Sequence, residues 1–153
     1  MKRKIIIKGV KKNLGGKDVH KGVDLSISEG ETIVIIGGSG CGKSVLLKSI
    51  CGLIIPDEGS IKIDGIEIIG RLEKHMTDIR KKFGVLFQGA ALFDSLNVYE
   101  NVGFAIKRLT DYSQQKIEKI VDEKLALVGL RGIGKMKPSE LSGGMKKRVG
   151  LAR

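Results

Sequence analysis

Eight consecutive residues, Gly37, Gly38, Ser39, Gly40, Cys41, Gly42, Lys43 and Ser44, follow the pattern G-x-x-x-x-G-K-[ST]. Each type has a physical task in holding a phosphate chain. Gly38, Gly40 and Gly42 let the backbone turn its N–H groups inward with no side chain in the way, and a helix opening at Lys43 adds the positive end of its dipole. Lys43 supplies a point charge for the β- and γ-phosphates, and the Ser44 hydroxyl supplies a ligand for Mg²⁺. A plain glycine turn ahead of a helix is the competing reading, and it leaves Lys43 without a purpose.

Such a loop works only between a strand and a helix, so the flanking residues must supply both. Upstream, Thr32 to Ile36 reads as a buried strand, fed by a hairpin around Glu29-Gly30. Downstream, Val45, Leu46, Leu47 and Ile50 share one helical face, with Gly52 and Pro56 beyond to end it. "GSIKIDGIEIIG" alternates isoleucines around Asp64-Gly65, a pair that favours a type I′ hairpin. A short helix is expected near Glu73 to Lys81, and then a second apolar strand, "FGVLF", that stops at Gln88-Gly89.

The pattern turns helical after Gln88. Asn97 and Glu100 are spaced like a capping box, and Val98, Val102, Ala105, Ile106 and Leu109 fall on one face. A second helix is expected from about Ser113 to Val128 with Gly129 at its end. The last motif, Leu141-Ser-Gly-Gly-Met145, offers the Ser142 hydroxyl and the bare N–H groups of Gly143 and Gly144 at another helix start. Met145, Val149 and Ala152 can bury that helix. No internal repeat, low-complexity tract or disordered linker interrupts the chain.

In this order, Gly37–Ser44, Gln88 and Leu141–Met145 resemble the ATPase subunit of an ABC transporter. The resemblance implies an α/β fold: a P-loop NTPase core with an antiparallel β subdomain and a helical subdomain, its parallel sheet incomplete. The phosphate-loop core and β subdomain would occupy residues 1–90, and the helical subdomain with the signature motif 91–153. It also implies roles. Gly37 to Val45 would bind ATP; Gln88 would meet Mg²⁺ and the attacking water; Ser142, Gly143, Gly144 and Met145 would face the γ-phosphate held by the second copy of a head-to-tail dimer.

Finer features, "GVLFQGAALFDSLNVYENVGF", the Lys43-Ser44-Val45 run and Met145, are similar to the ATPases of Mla-type phospholipid transporters, relatives of toluene-tolerance and chloroplast lipid-import systems. The implied partners are integral-membrane permease subunits, on the cytoplasmic face of the inner or plasma membrane. Three positions depart from the wider family. Leu14 stands where an aromatic often stacks on adenine, which leaves the base to apolar contact or to Val19. Val45 replaces a Thr that touches the α-phosphate, and Met145 replaces the usual signature Gln.

Family hydrolysis also uses a strand ending in Asp-Glu and a later His. After the signature this chain holds neither, and Asp64 and Asp94 end apolar runs too early and without a following Glu. The expectation is therefore an amino-terminal portion of a longer ATPase that binds nucleotide without turning it over by itself. His20 and His75 are expected at the surface.

The totals fit that reading. The net charge of +11 sits at the two ends, with eight Lys/Arg against Asp18 in residues 1–21 and seven against Glu140 in 131–153. Such ends leave a nucleic-acid ATPase open as a third class, but only six Phe and Tyr are present for stacking on bases, so no nucleic acid is expected. A non-hydrolysing regulatory module is the other alternative. Cys41 and Cys51, about 15 Å apart along a helix, are too far for a disulfide, which favours a reducing compartment. No run approaches transmembrane length.

Overall fold

The computed structural model describes residues Lys2–Arg153, and these divide into two units, one ending at Gly84 and the other running from Val85 to Arg153. The first is built on a four-stranded antiparallel sheet in the order β2-β1-β3-β4: β1 Arg3–Leu14, β2 Lys17–Ser28, β3 Glu58–Ile63 and β4 Ile66–Glu67. Strands β1 and β2 turn at Gly15-Gly16, with φ of 59° and 83°, the two positive angles that a twist-matched two-residue hairpin requires. Asn13 Oδ1 accepts from Gly16 N at 2.9 Å and fixes that turn. The Asp64-Gly65 turn between β3 and β4 has φ of 51° and 80°, as the sequence predicts. Its Asp64 carboxylate is held by Lys82 at 2.6 Å and Lys4 at 3.2 Å.

Ile7 and Val10 of β1 and Ile61 and Ile63 of β3 form one side of the core. Leu46 and Ile50 of α1 (Lys43–Ile50) join it, as do Met76 and Ile79 of α2 (Glu73–Arg80). Helix α1 thus buries its expected apolar face except Leu47, which is exposed.

Two expectations need correction. Thr32 to Ile36 is not a buried strand. Ile33 and Ile35 are half-buried, in the alternation of a strand, but Val34 is 75% and Ile36 89% exposed, and the segment pairs with no other among the described residues. Phe83 to Phe87 is likewise unpaired, with Val85, Leu86 and Phe87 exposed. A strand exists through its ladder, and an apolar run with the right alternation but no neighbour stays merely extended. The Glu29-Gly30 turn consequently leads out of the sheet and closes no hairpin.

The second unit is helical: α3 (Val98–Leu109), α4 (Gln114–Leu127), a 3₁₀ turn (Pro138–Glu140) and α5 (Gly143–Ala152). The capping box is present, with Glu100 N donating to Asn97 Oδ1 and Asn97 N to Glu100 Oε2, both at 2.8 Å. Val98 N and Tyr99 N, which have no intrahelical acceptor, donate to the carbonyls of Met136 and Gly134 at 2.9 Å. Gly103 lets α3 and α4 approach closely: a Cβ there would lie 3.3 Å from Ile117 and 3.4 Å from Val121. The buried face of α3 is Val98, Asn101, Val102 and Gly103, so the expected stripe is rotated and Ala105 and Leu109 face solvent. Helix α4 begins at its Ser113 cap and gives way to Gly129 at φ 69°. Arg148 of α5 donates to the last carbonyls there, Val128 and Gly129, at 3.2 and 3.4 Å.

Candidate functional site

In the first unit the segment from Gly37 to Gly42 is an irregular loop that opens α1 at Lys43. Gly40 and Gly42 take φ of 76° and 98°, angles that a side chain would strain, and Gly42 is the helix N-cap. Having no side chain, Gly42 caps nothing. The N–H groups of Lys43, Ser44 and Val45 make no hydrogen bond among the described residues, so the positive end of α1 points outward undiminished. No acidic residue lies in the first turn of α1, and Lys48 sits in its last.

Lys43 curls back over the loop. Its Nζ donates to the carbonyls of Gly37 at 2.7 Å and Gly38 at 2.8 Å and lies 3.6 Å from Cys41 Sγ, so the ammonium is folded onto the loop that leads into α1. Ser44 is exposed and Val45 half-buried. Ser39 and Cys41 are exposed along the loop, with Cys41 Sγ so placed that a Cβ on Gly37 would meet it at 2.7 Å. The arrangement gathers a cation, a helix start and small residues around one point. It can hold an anion of several oxygens. Among the described residues no group of three or more His, Cys, Asp or Glu could hold a metal ion.

His20 is not at the surface. It is 6% exposed, and its Nε2 lies 3.1 Å from Gly42 O. Val19 packs beside it, so that a Cβ on Gly42 would fall 2.6 Å from Val19 Cγ1. Leu14 stands at the β1 side of the Gly15-Gly16 turn, 42% exposed. His75 is exposed in α2, as expected.

In the second unit Gln88 is exposed and leads into a strained turn, where Ala90 and Ala91 have φ of 61° and 49°. Non-glycine residues hold such angles only when their surroundings insist. Here three groups do. Arg153 donates to Ala91 O at 2.6 Å and Ala90 O at 3.2 Å. Gly150 of α5 lies so close that a Cβ would stand 2.9 Å from Ala90 Cβ and 3.0 Å from Leu86 Cδ1. Asn101, fully buried, accepts from Phe93 N at 2.8 Å and donates to the carbonyls of Phe93, Leu96 and Asn97 at 2.9 to 3.2 Å.

Helix α5 starts at Ser142, whose Oγ accepts from Met145 N at 3.2 Å. Ser142, Gly143 and Gly144 are exposed, while Met145 and Ala152 are half-buried against a core that includes fully buried Val149. Sequence reasoning missed His20, Asn101 and Arg153. For Asn101 a signal was present: an amide four residues after the Asn97 cap, in the middle of an apolar stripe.

A glycine loop opening a helix, an antiparallel sheet beside it and a separate helical unit carrying a Leu-Ser-Gly-Gly helix start together define an ATP-binding cassette. That fold is shared, at a TM-score of 0.88 and 35% identity, with the dimeric structure of an ATP-binding cassette in a post-hydrolysis state bound to ADP and Pi, over 97% of this chain and 67% of that one. The chain belongs to the ABC transporter family, whose model matches residues 20–153. It is 50% identical over 149 residues to a probable ribonucleotide transport ATP-binding protein of Mycobacterium leprae, covering 97% of this chain and 43% of that protein. It is also 40% identical over 139 residues to the intermembrane phospholipid transport system ATP-binding protein of Escherichia coli, covering 91% and 52%. The chain thus spans about half the length of these relatives or less.

Proposed function

We propose that this chain binds Mg-ATP through Gly37 to Val45 as the nucleotide-binding portion of a transport ATPase whose cargo is phospholipid. The observation that carries the nucleotide half is the meeting of the Lys43 ammonium with the uncapped start of α1. The β- and γ-phosphates would replace the Gly37 and Gly38 carbonyls as partners of Lys43 Nζ, and the amides of α1 would take the remaining oxygens. Ser44 and Gln88 would serve Mg²⁺, with Gln88 also ordering the water that attacks the γ-phosphate. Bound Mg²⁺ supplies charge neutralisation on the phosphate oxygens.

Ser142, Gly143, Gly144 and Met145 would complete the site in trans, on the loop of a second copy, in line with the dimeric assembly of the cassette that this fold matches. Permease subunits at the cytoplasmic face of a membrane are the further partners. No helix of the described residues is long and apolar enough to cross a membrane. The lipid cargo rests on Phe93 to Leu96, the Lys43-Ser44-Val45 run and Met145, and on the name of the Escherichia coli relative.

Within residues 1–153 no strand ending in Asp-Glu follows the signature, so binding without turnover is the expected behaviour of this chain. Calorimetric titration of the chain with Mg-ATP, beside a phosphate-release assay, tests both halves: saturable binding lost in Lys43→Ala with no release of phosphate is the expected result. Phosphate release that disappears in Lys43→Ala would refute the second half. Isolation of the tagged chain with its co-purifying membrane protein, followed by lipid and nucleotide analysis, decides the cargo; co-purified ribonucleotide cargo in place of phospholipid would overturn the lipid reading.

A further inference from the structure

The Gly42 carbonyl accepts two hydrogen bonds: the first of α1, from Leu46 N at 2.9 Å, and one from His20 Nε2 at 3.1 Å. A carbonyl oxygen only accepts, so Nε2 is the donor in this bond, and the ring's other nitrogen is Nδ1. That Nδ1 is buried and finds no partner among the described residues. A phenylalanine or leucine would fill the same space beside Val19 without burying an unpaired nitrogen, so mere packing does not account for an imidazole here. What the imidazole adds is its bond to Gly42.

The peptide joining Gly42 to Lys43 is planar and trans, which points its C=O and its N–H in opposite directions. Holding the Gly42 carbonyl toward His20 and into α1 therefore aims the Lys43 N–H the other way, out of the helix start. The fit is tight on both sides. With φ at 98°, Gly42 brings its Cα so near that an added Cβ would be 2.9 Å from His20 Nε2. No other hydrogen bond among the described residues reaches this peptide from outside the helix.

We propose that His20 is a positioning residue for the phosphate loop: by donating from Nε2 to the Gly42 carbonyl it aims the Lys43 amide at a bound di- or triphosphate. It touches no phosphate itself. The proposal rests on the reading of Gly37–Ser44 as a phosphate loop, and its test separates the two.

The 153-residue chain is titrated with Mg-ADP as wild type, His20→Phe, His20→Gln and Lys43→Ala, with thermal unfolding of each recorded beside it. His20→Phe keeps the volume and removes the donor; the expected result is ADP binding weakened about 3- to 10-fold, the worth of one hydrogen bond. His20→Gln restores a donor and recovers most of that loss. Nitrogen NMR of the wild type is expected to show the Nε2–H tautomer at His20, and the Lys43 amide resonance is expected to move in His20→Phe and return in His20→Gln, whatever the unfolding temperatures do. Wild-type ADP affinity in His20→Phe, an Nδ1–H tautomer, or a Lys43 amide indifferent to both substitutions overturns the proposal. If His20→Phe fails to fold, the tautomer and His20→Gln still decide it. Should Lys43→Ala bind ADP like the wild type, the phosphate-loop reading itself falls, independently of how the His20 variants behave.

Discussion

The starts of α1 and α5 look alike in sequence, each a run of small residues before a helix, and differ in how they are finished. Helix α1 has a glycine at its N-cap and no side chain bonded to its first amides; α5 has Ser142, whose hydroxyl is already bonded to Met145 N. The first start is held open from behind by His20, and the second is closed from in front by its own cap. An uncapped start retains its full attraction for an anion, whereas a self-capped one has given part of it to stability. The bends beside them contrast too. Glycines at positive φ shape the phosphate loop at little steric cost, but alanines at positive φ shape the turn after Gln88, and that turn survives through Asn101, Gly150 and Arg153.

The contrast can be broken most severely at Asn101. Asn101→Leu removes four hydrogen bonds and leaves Phe93 N without its acceptor, and is expected to cost about 3 kcal/mol, seen as a lower midpoint in thermal or urea unfolding. Beneath the phosphate loop the buried polar residue is His20, which makes one hydrogen bond to the loop where Asn101 makes four. Next in size, Lys43→Ala is expected to weaken Mg-ATP binding about 10- to 100-fold in calorimetry while leaving the unfolding midpoint near that of the wild type, because a charge-assisted contact to phosphate is lost but no core group is.

Ser142→Ala comes third. Loss of the cap on α5 is expected to cost about 1 kcal/mol of stability, whereas Gly42, with no cap to lose, leaves α1 without a corresponding term. Hydrogen exchange at Met145 N reads the difference directly.

The smallest effect is electrostatic. Lys82 and then Lys4 hold the Asp64 carboxyl below the usual carboxylate range. Its folded pKa lies under its unfolded one, so the stabilisation is present above about pH 4, the ordinary range for Asp, and is lost as the pH falls through the lowered value. Asp64→Asn is expected to flatten the acid limb of a stability–pH curve by a small amount, since these partners are solvent-screened.

What the sequence revealed was mostly local. The Asn97 capping box, the Asp64-Gly65 turn, the Ser113 cap and the glycine stop at Gly129 each depend on residues within one or two turns of chain, and all are present. Thr32–Ile36 and Phe83–Phe87 read as strands because alternation and β-branching were counted, but a strand also needs a neighbour, which no count of its own residues supplies. Gly15-Gly16 is itself a strong turn signal, and it, not Glu29-Gly30, makes the long hairpin of β1 and β2. His20 lies 22 residues from Gly42, and nothing in its immediate surroundings marks it as the support of the loop. The glycine motif and Lys43, by contrast, carry their meaning in their spacing.

Helix α5 has ten residues, about 15 Å of rigid rod. At its far end Arg153 and Gly150 grip the turn that follows Gln88, and at its near end stand Ser142 and the two exposed glycines. The turn after Gln88 and the exposed start at Ser142 are thus tied to the two ends of one short helix, within a single piece of polypeptide.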